Sequence, residues 1–198
     1  MHIYGITGPS GAGKSILSQY MTRNGVAHID ADKVYHELLV PPSKALDALR
    51  DAFGDKIFNS EGNLDRAVLS AIVFHDKDKL ALLNKTVLGF VLDEIRRRIA
   101  SLEKSGFSAV AVDAPTLIES GFHKECDTVI SVLSSKEIRI ARIMERDGLS
   151  RERAVERTNA QKPNEFYEEH SDIILMNDGD VESFFTLISL SLPELEGK

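Results

Sequence analysis

Gly8-Pro9-Ser10-Gly11-Ala12-Gly13-Lys14-Ser15 frames every other feature of this chain. The octapeptide satisfies G-x-x-x-x-G-K-[ST]. It stands between an apolar run at residues 3–6 and an amphipathic run with Ile16, Leu17, Tyr20 and Met21 on one side, which Asn24-Gly25 stops. A strand that enters such a loop and leaves it as a helix makes an anion site. Glycines let the backbone curl until successive N–H groups face one ligand, and the helix N-terminus adds positive potential. Lys14 can then reach the outer phosphates and the Ser15 hydroxyl can ligate magnesium. Gly8, Ser10, Gly11, Ala12, Gly13, Lys14, Ser15 and the following Ile16 are the expected nucleotide contacts.

Outward from the loop, short apolar runs alternate with amphipathic stretches, the pattern of parallel strands joined by crossover helices. Further strands are predicted at 27–29, 108–112, 128–133 and 172–175, giving one five-stranded sheet. The expected class is α/β, a three-layer P-loop NTPase fold with a parallel sheet. Between the second and third strands lies a helical insertion. It opens near Pro41-Pro42, with helical spacing at Ala45, Leu46, Leu49 and Phe53 and again at Leu80, Leu83, Val87, Val91, Ile95, Ile99 and Leu102, and 54–63 reads as a loop. A second excursion runs over 136–147 and, after Gly148 and a Ser150 cap, over 150–160. Asn177-Asp178-Gly179-Asp180 is a turn before a closing helix over 181–192. The implied organisation is a nucleotide-binding core at 1–40 and 105–198, an insertion at 41–104, and a helical lid at 136–165 within the core.

With 198 residues, 42% hydrophobic and 28% charged, the composition is that of an ordinary globular domain. Against 31 acidic residues stand 24 basic ones, a net charge of -7 that argues against broad binding to nucleic acid or an anionic membrane. No apolar run approaches the roughly 18 residues of a membrane span. The start, Met1-His2-Ile3-Tyr4-Gly5, has no basic region followed by an apolar stretch. A single cysteine, Cys126, fits a reducing compartment and a packing role, so a cytoplasmic protein is expected.

Residues 136–157 carry seven basic side chains among five acidic ones. Taken alone they read as a solvated helix face with intrahelical pairs. Beside a phosphate loop, Arg142 and Arg146, four apart on one face, become candidate cations over a transferring phosphoryl group. Asp32, just past the second strand, is a candidate contact for an acceptor hydroxyl and a candidate N-cap for a helix over 33–39, two roles that do not exclude each other. Asp113, at the end of the third strand, is placed for the metal's water shell or again for a cap. Glu119, on an expected helix after it, is a candidate for a buried pair or a ligand contact. Thr7 reads as structural support. His2, His28, His36, His75, His123 and His170 lack metal-ligand spacing.

The ordered set of motifs resembles the dephospho-CoA kinase family over nearly the whole chain. Its members are Ile6-Thr7-Gly8 entering the loop, Ile29-Asp30-Ala31-Asp32, and Gly62-Asn63-Leu64-Asp65-Arg66 followed by Leu69 and Phe74. They continue with Val112-Asp113-Ala114-Pro115 through Glu119-Ser120-Gly121, and Arg142-Ile143-Met144-Glu145-Arg146-Asp147-Gly148-Leu149-Ser150. Arg157, Gln161 and Asp172 through Gly179 close the set. The resemblance implies transfer of the ATP γ-phosphate to the ribose 3′-hydroxyl of dephospho-CoA with Mg2+, giving CoA and ADP. It implies Asp32 as base or aligner of that hydroxyl, Arg142 as the phosphoryl stabiliser with Arg146 in support, and Arg66, Glu119 and the insertion on the acceptor side. It also implies small-molecule partners only, in a monomer or weak homo-oligomer. Four positions depart from the family pattern: Leu88-Gly89 in place of a usual His-Pro pair, Pro9 in place of a common glycine, and Ile16 in place of a frequent threonine. Two rivals are a kinase of the same architecture with another small acceptor, and a nucleotide switch. The chain lacks the guanine-reading Asn-Lys-x-Asp of many switches.

Overall fold

The structure is a computed structural model that describes residues 1–74 and 76–195. His75 lies outside the described residues. The chain divides into two compact units, one of Met1–Ile29 with Leu102–Lys198 and one of Asp30–Ser101.

The first unit is built on a sheet whose strands are β1 (His2–Thr7), β2 (Ala27–Asp30), β3 (Ala109–Asp113), β4 (Thr128–Leu133) and β5 (Ile173–Met176), in the order β2-β3-β1-β4-β5. β1 runs parallel to β3, with Tyr4 opposite Ala111, and parallel to β4, with Ile6 opposite Ile130; β4 in turn pairs in parallel with β5. Strands covered on both faces read as continuous apolar runs, which is why Val110, Val112, Ile130 and Val132 are all sealed from solvent. Helix α1 (Lys14–Arg23) lays Leu17 and Met21 into the core that also takes Tyr4, Ile6, Leu175 and, from the last helix (Val181–Ser191), Phe184 and Ile188. The sheet order reverses direction beside β1, and in such sheets ligands bind outside the carboxyl ends of the strands at that point.

In the second unit, α2 (Ala31–Leu38), α3 (Lys44–Phe53), α4 (Arg66–Phe74) and most of α5 (Lys77–Lys104) follow one another. This unit starts at Asp30, ahead of the Pro41-Pro42 pair, because α2 leaves β2 without a linker. Helix α4 is a feature the sequence pattern left unread: only Leu69 and Val73 are buried, while Val68 and Phe74 face solvent. Helix α5 runs unbroken through Leu88-Gly89, and its inner row is Leu83, Val87, Val91 and Ile95, at steps of four. Leu80, expected on that row, is exposed instead.

The remaining helices of the first unit are α6 (Lys136–Asp147), α7 (Arg151–Asn159), α8 (Asn164–Glu168) and α9, the last helix already described. Ile140 and Ile143 of α6 pack on Ala154 of α7, and the Ser150 hydroxyl caps α7. The helix expected after β3 does not form. The turn bonds alternate between three-residue and four-residue spacing, and Gly121 at φ 81° ends the stretch and leads into a short 3-10 turn, Phe122–Glu125.

Candidate functional site

The loop between β1 and α1 curls as the motif requires. Gly8 has φ 131°, and a Cβ there would stand 2.1 Å from the Val132 carbonyl oxygen of β4, so only glycine lets the loop lie this close to its neighbouring strand. The Lys14 ammonium donates to the carbonyls of Gly8 (2.7 Å) and Pro9 (3.3 Å), placing its charge over the loop's mouth. Gly13 supplies no side-chain cap to α1, as suits a helix N-terminus that presents its amides to a ligand. The Ile16 N–H bonds the Gly13 carbonyl at 2.9 Å, so its main-chain donor serves the helix turn here. Thr7, fully buried, points its hydroxyl at the Pro115 carbonyl at 3.4 Å, in keeping with a supporting role.

Side chains from two distant segments, α6 and the stretch just beyond β5, hold this loop. Asn177, 2% exposed just beyond β5, donates from Nδ2 to the Ala12 carbonyl at 2.7 Å. Arg142 of α6 donates to the Asn177 carbonyl at 3.0 Å and reaches the carbonyls of Gly11 (3.3 Å) and Gly179 (3.3 Å). Arg146, one turn on, approaches the Ser10 hydroxyl at 3.2 Å and forks onto Asp147 at 2.8 and 2.9 Å. Arg157 grips the same carboxylate at 2.7 Å, and the hydrogen bond from Arg146 chiefly holds the Asp147 carboxyl below its ordinary range. Asp178 accepts from the Ser135 N–H (2.7 Å) and the Ser134 hydroxyl (2.8 Å), and the amide bond lowers its pKa most.

Asp113 ends β3 with its carboxylate 2.9 Å from the Ser18 hydroxyl of α1. With no helix after it to cap, the capping alternative lapses. Among the described residues no group of three His, Cys, Asp or Glu side chains could hold a metal ion by itself. The Ser15 hydroxyl and the Asp113 carboxylate are hard oxygen donors of the kind magnesium takes while keeping waters and substrate phosphates as its other ligands, so the residues present fit that ion.

In the helical unit, the cap of α2 is Asp30, whose carboxylate accepts from the Lys33 N–H at 3.0 Å. Asp32 is therefore exposed in the first turn rather than acting as the cap. Arg66 opens α4, where Asp65 accepts from the N–H groups of Ala67 and Val68 at 3.0 Å each, and its charge acts on Tyr35. Glu94 takes two bonds from Arg97 (2.7 Å each) and one from Arg98 (2.8 Å), and Arg98 also pairs with Glu37. These bonds, Arg97's first, lower the Glu94 pKa to about 2.

In the first unit, Glu119 is exposed rather than part of a buried pair, and it faces the buried Tyr167, whose phenol is pushed up by burial first and by Glu119 second. Cys126 packs against Gly5, its thiol pushed up to about 12 by burial, which fits a packing residue. The structure thus gathers Gly8 through Ile16 with Arg142 and Arg146, and sets Asp113 beside α1. Asn177 and Gln161, which the sequence offered only as members of a motif set, also belong to the loop's surroundings.

A model of the dephospho-CoA kinase family matches residues 2–183. A dephospho-CoA kinase from Carboxydothermus hydrogenoformans is 36% identical over 181 residues, covering 91% of this chain and 88% of that one. Among solved structures, one from Thermus thermophilus superposes with a TM-score of 0.77 at 30% identity, covering 99% of this chain and 98% of that one. A dephospho-CoA kinase from Campylobacter jejuni gives 0.70 at 27%, covering 97% and 98%.

Proposed function

The chain belongs to the dephospho-CoA kinase family, and from that premise we propose how its own residues carry the reaction. The activity is transfer of the ATP γ-phosphate to the ribose 3′-hydroxyl of dephospho-CoA, yielding CoA and ADP. The observation that carries the assignment of residues is the curled loop with the Lys14 ammonium at its mouth. Phosphoryl transfer asks for little covalent chemistry from a protein, so positioning and charge stabilisation supply the rate.

Main-chain amides of the loop from Gly8 to Ser15, Pro9 having none to give, cradle the phosphates, with the Ser10 side chain at the rim. Lys14 draws negative charge from the transferring group, and Arg142 and Arg146 add to it from a lid spanning 136–165. The Ser15 hydroxyl and the Asp113 carboxylate would hold magnesium, which when bound neutralises charge on the phosphate oxygens. Asp32 aligns the acceptor hydroxyl or takes its proton. Arg66, Glu119 and the helical insertion, 41–104 in its sequence bounds, receive the rest of the acceptor. The core, 1–40 and 105–198, receives ATP. Closure of the lid excludes water and limits loss of phosphate to hydrolysis. Leu88-Gly89 bears on acceptor affinity rather than on the transfer itself. The enzyme works on small molecules, without nucleic acid or membrane, as a monomer or weak homo-oligomer in the cytoplasm.

Lys14→Ala tests the loop assignment. Steady-state turnover is expected to fall by at least about 100-fold, since a charged group on the transferring phosphoryl is lost, with the unfolding temperature nearly unchanged. Unaltered turnover would remove Lys14 and the loop from the mechanism.

A further inference from the structure

Arg139 stands out among the basic residues of α6. It is only 6% exposed, yet among the described residues its guanidinium has no carboxylate partner, and its Nε makes no hydrogen bond. Arg146, Arg151 and Arg157 each have a carboxylate, and Arg142 has carbonyls. A buried cation without a counter-charge is costly unless a ligand supplies one. Burial indeed lowers the Arg139 pKa from its ordinary value, against a smaller opposing effect of Tyr167.

The surroundings say which ligand. The first turn of α6 lies on the phosphate loop, where a Cβ on Gly11 would stand 2.9 Å from the Arg139 carbonyl oxygen. Arg139 Nη1 donates to Gln161 Oε1 at 3.2 Å, and the same oxygen accepts from the Ser10 N–H at 3.2 Å. One oxygen thus receives a loop amide and a guanidinium together. That donor pair is what a phosphoryl oxygen takes in a phosphate site.

We propose that Arg139 is a further phosphate-binding residue of this kinase, that its counter-charge is the terminal phosphate of the nucleoside triphosphate, and that Gln161 Oε1 holds the place of a phosphoryl oxygen until that phosphate displaces it. The proposal rests on the phosphate-loop reading and extends it by assigning this donor pair to the third phosphate rather than the second. No bond is made or broken in this step. The Gln161 carboxamide leaves the two donors and one γ-phosphate oxygen takes them.

The test is binding of ADP and of a non-hydrolysable ATP analogue, each with magnesium, to the wild-type chain and to Arg139→Met, Arg139→Lys, Gln161→Ala and Gln161→Glu by titration calorimetry, with thermal unfolding alongside. Arg139→Met is expected to weaken the triphosphate analogue about tenfold and ADP less than about twofold, as loss of one charge-assisted contact to the third phosphate requires. Arg139→Lys is expected to recover part of that loss. Gln161→Glu places a carboxylate on Arg139 and is expected to weaken the analogue selectively, whereas Gln161→Ala removes the competitor and is expected to leave its affinity equal or tighter. Equal losses for ADP and the analogue in Arg139→Met, or none, would overturn the proposal. If Arg139→Met does not fold, Gln161→Glu decides, and unchanged affinity for the analogue there would overturn it too. A wild-type chain that bound neither nucleotide would overturn the phosphate-loop reading itself, and the proposal with it.

Discussion

Replacing Asn177 with alanine isolates the contribution of a side chain that touches the phosphate loop from the far end of the chain. Asn177 is 2% exposed, and its Nδ2 bonds the Ala12 carbonyl at 2.7 Å. Truncation leaves that buried acceptor with only Arg142 Nη1, at 3.5 Å. An unsatisfied buried carbonyl costs about 1–3 kcal/mol, and the small void left by the carboxamide adds about 1 kcal/mol. A chain of this length loses about 2–4 °C of unfolding temperature per kcal/mol, so the expected fall is roughly 5–15 °C. The same loss loosens the curl of the loop, and KM for ATP is expected to rise severalfold. Asn177→Asp offers no donor in either orientation and is expected to recover none of the Ala12 bond at pH 7. Calorimetric unfolding and steady-state kinetics read both effects. A fall below about 2 °C with KM unaltered, or wild-type stability in Asn177→Asp, would refute the reasoning.

Three further outcomes follow from the geometry. Arg142→Ala is expected to lower kcat at saturating substrates, and a loss confined to KM would assign Arg142 to binding alone. Asp32→Asn is expected to lower kcat at least about 100-fold while leaving ATP affinity and unfolding temperature nearly intact, because Asp30 caps the helix; a purely thermal effect would contradict it. Glu94, with its pKa depressed to about 2, contributes stability that is fully present above the ordinary carboxylate value of 4.5 and is lost as pH falls toward about 2. Glu94→Gln is accordingly expected to be about 1–2 kcal/mol less stable at pH 7, the exposed side of Arg97 screening the pair, with the gap closing toward pH 2 in pH-dependent unfolding; a gap constant with pH would contradict that cause.

Strands and loop were legible for a local reason. A parallel strand buried on both faces is an apolar run in the sequence, and the glycines and lysine of the phosphate loop carry their chemistry within eight consecutive residues. The order β2-β3-β1-β4-β5 depends on pairing across the chain, which periodicity does not encode. Helix α4 was obscured because Arg66–Phe74 presents apolar residues on its exposed side as well as its buried one. The helix expected around Glu119 is a run of turns instead, its bonds alternating between three-residue and four-residue spacing and ending within a few residues at Gly121, φ 81°. The loop's supports were hardest to see. Asn177 and Ala12 are 165 positions apart, and Gln161 reaches Ser10 across 151, so nothing in either neighbourhood announces the partner. The sequence offered Asp32 as a cap as well as an acceptor contact, and the structure gives the cap to Asp30, two residues earlier.

The central claim is phosphate transfer to one acceptor. Purified protein mixed with ATP, magnesium and dephospho-CoA, with adenosine and simple nucleotides as parallel acceptors, gives that test by mass spectrometry. CoA and ADP formed in equal amounts from dephospho-CoA, with no phosphorylated product from the other acceptors, is the predicted result. Phosphate appearing only on another acceptor or on water would contradict it.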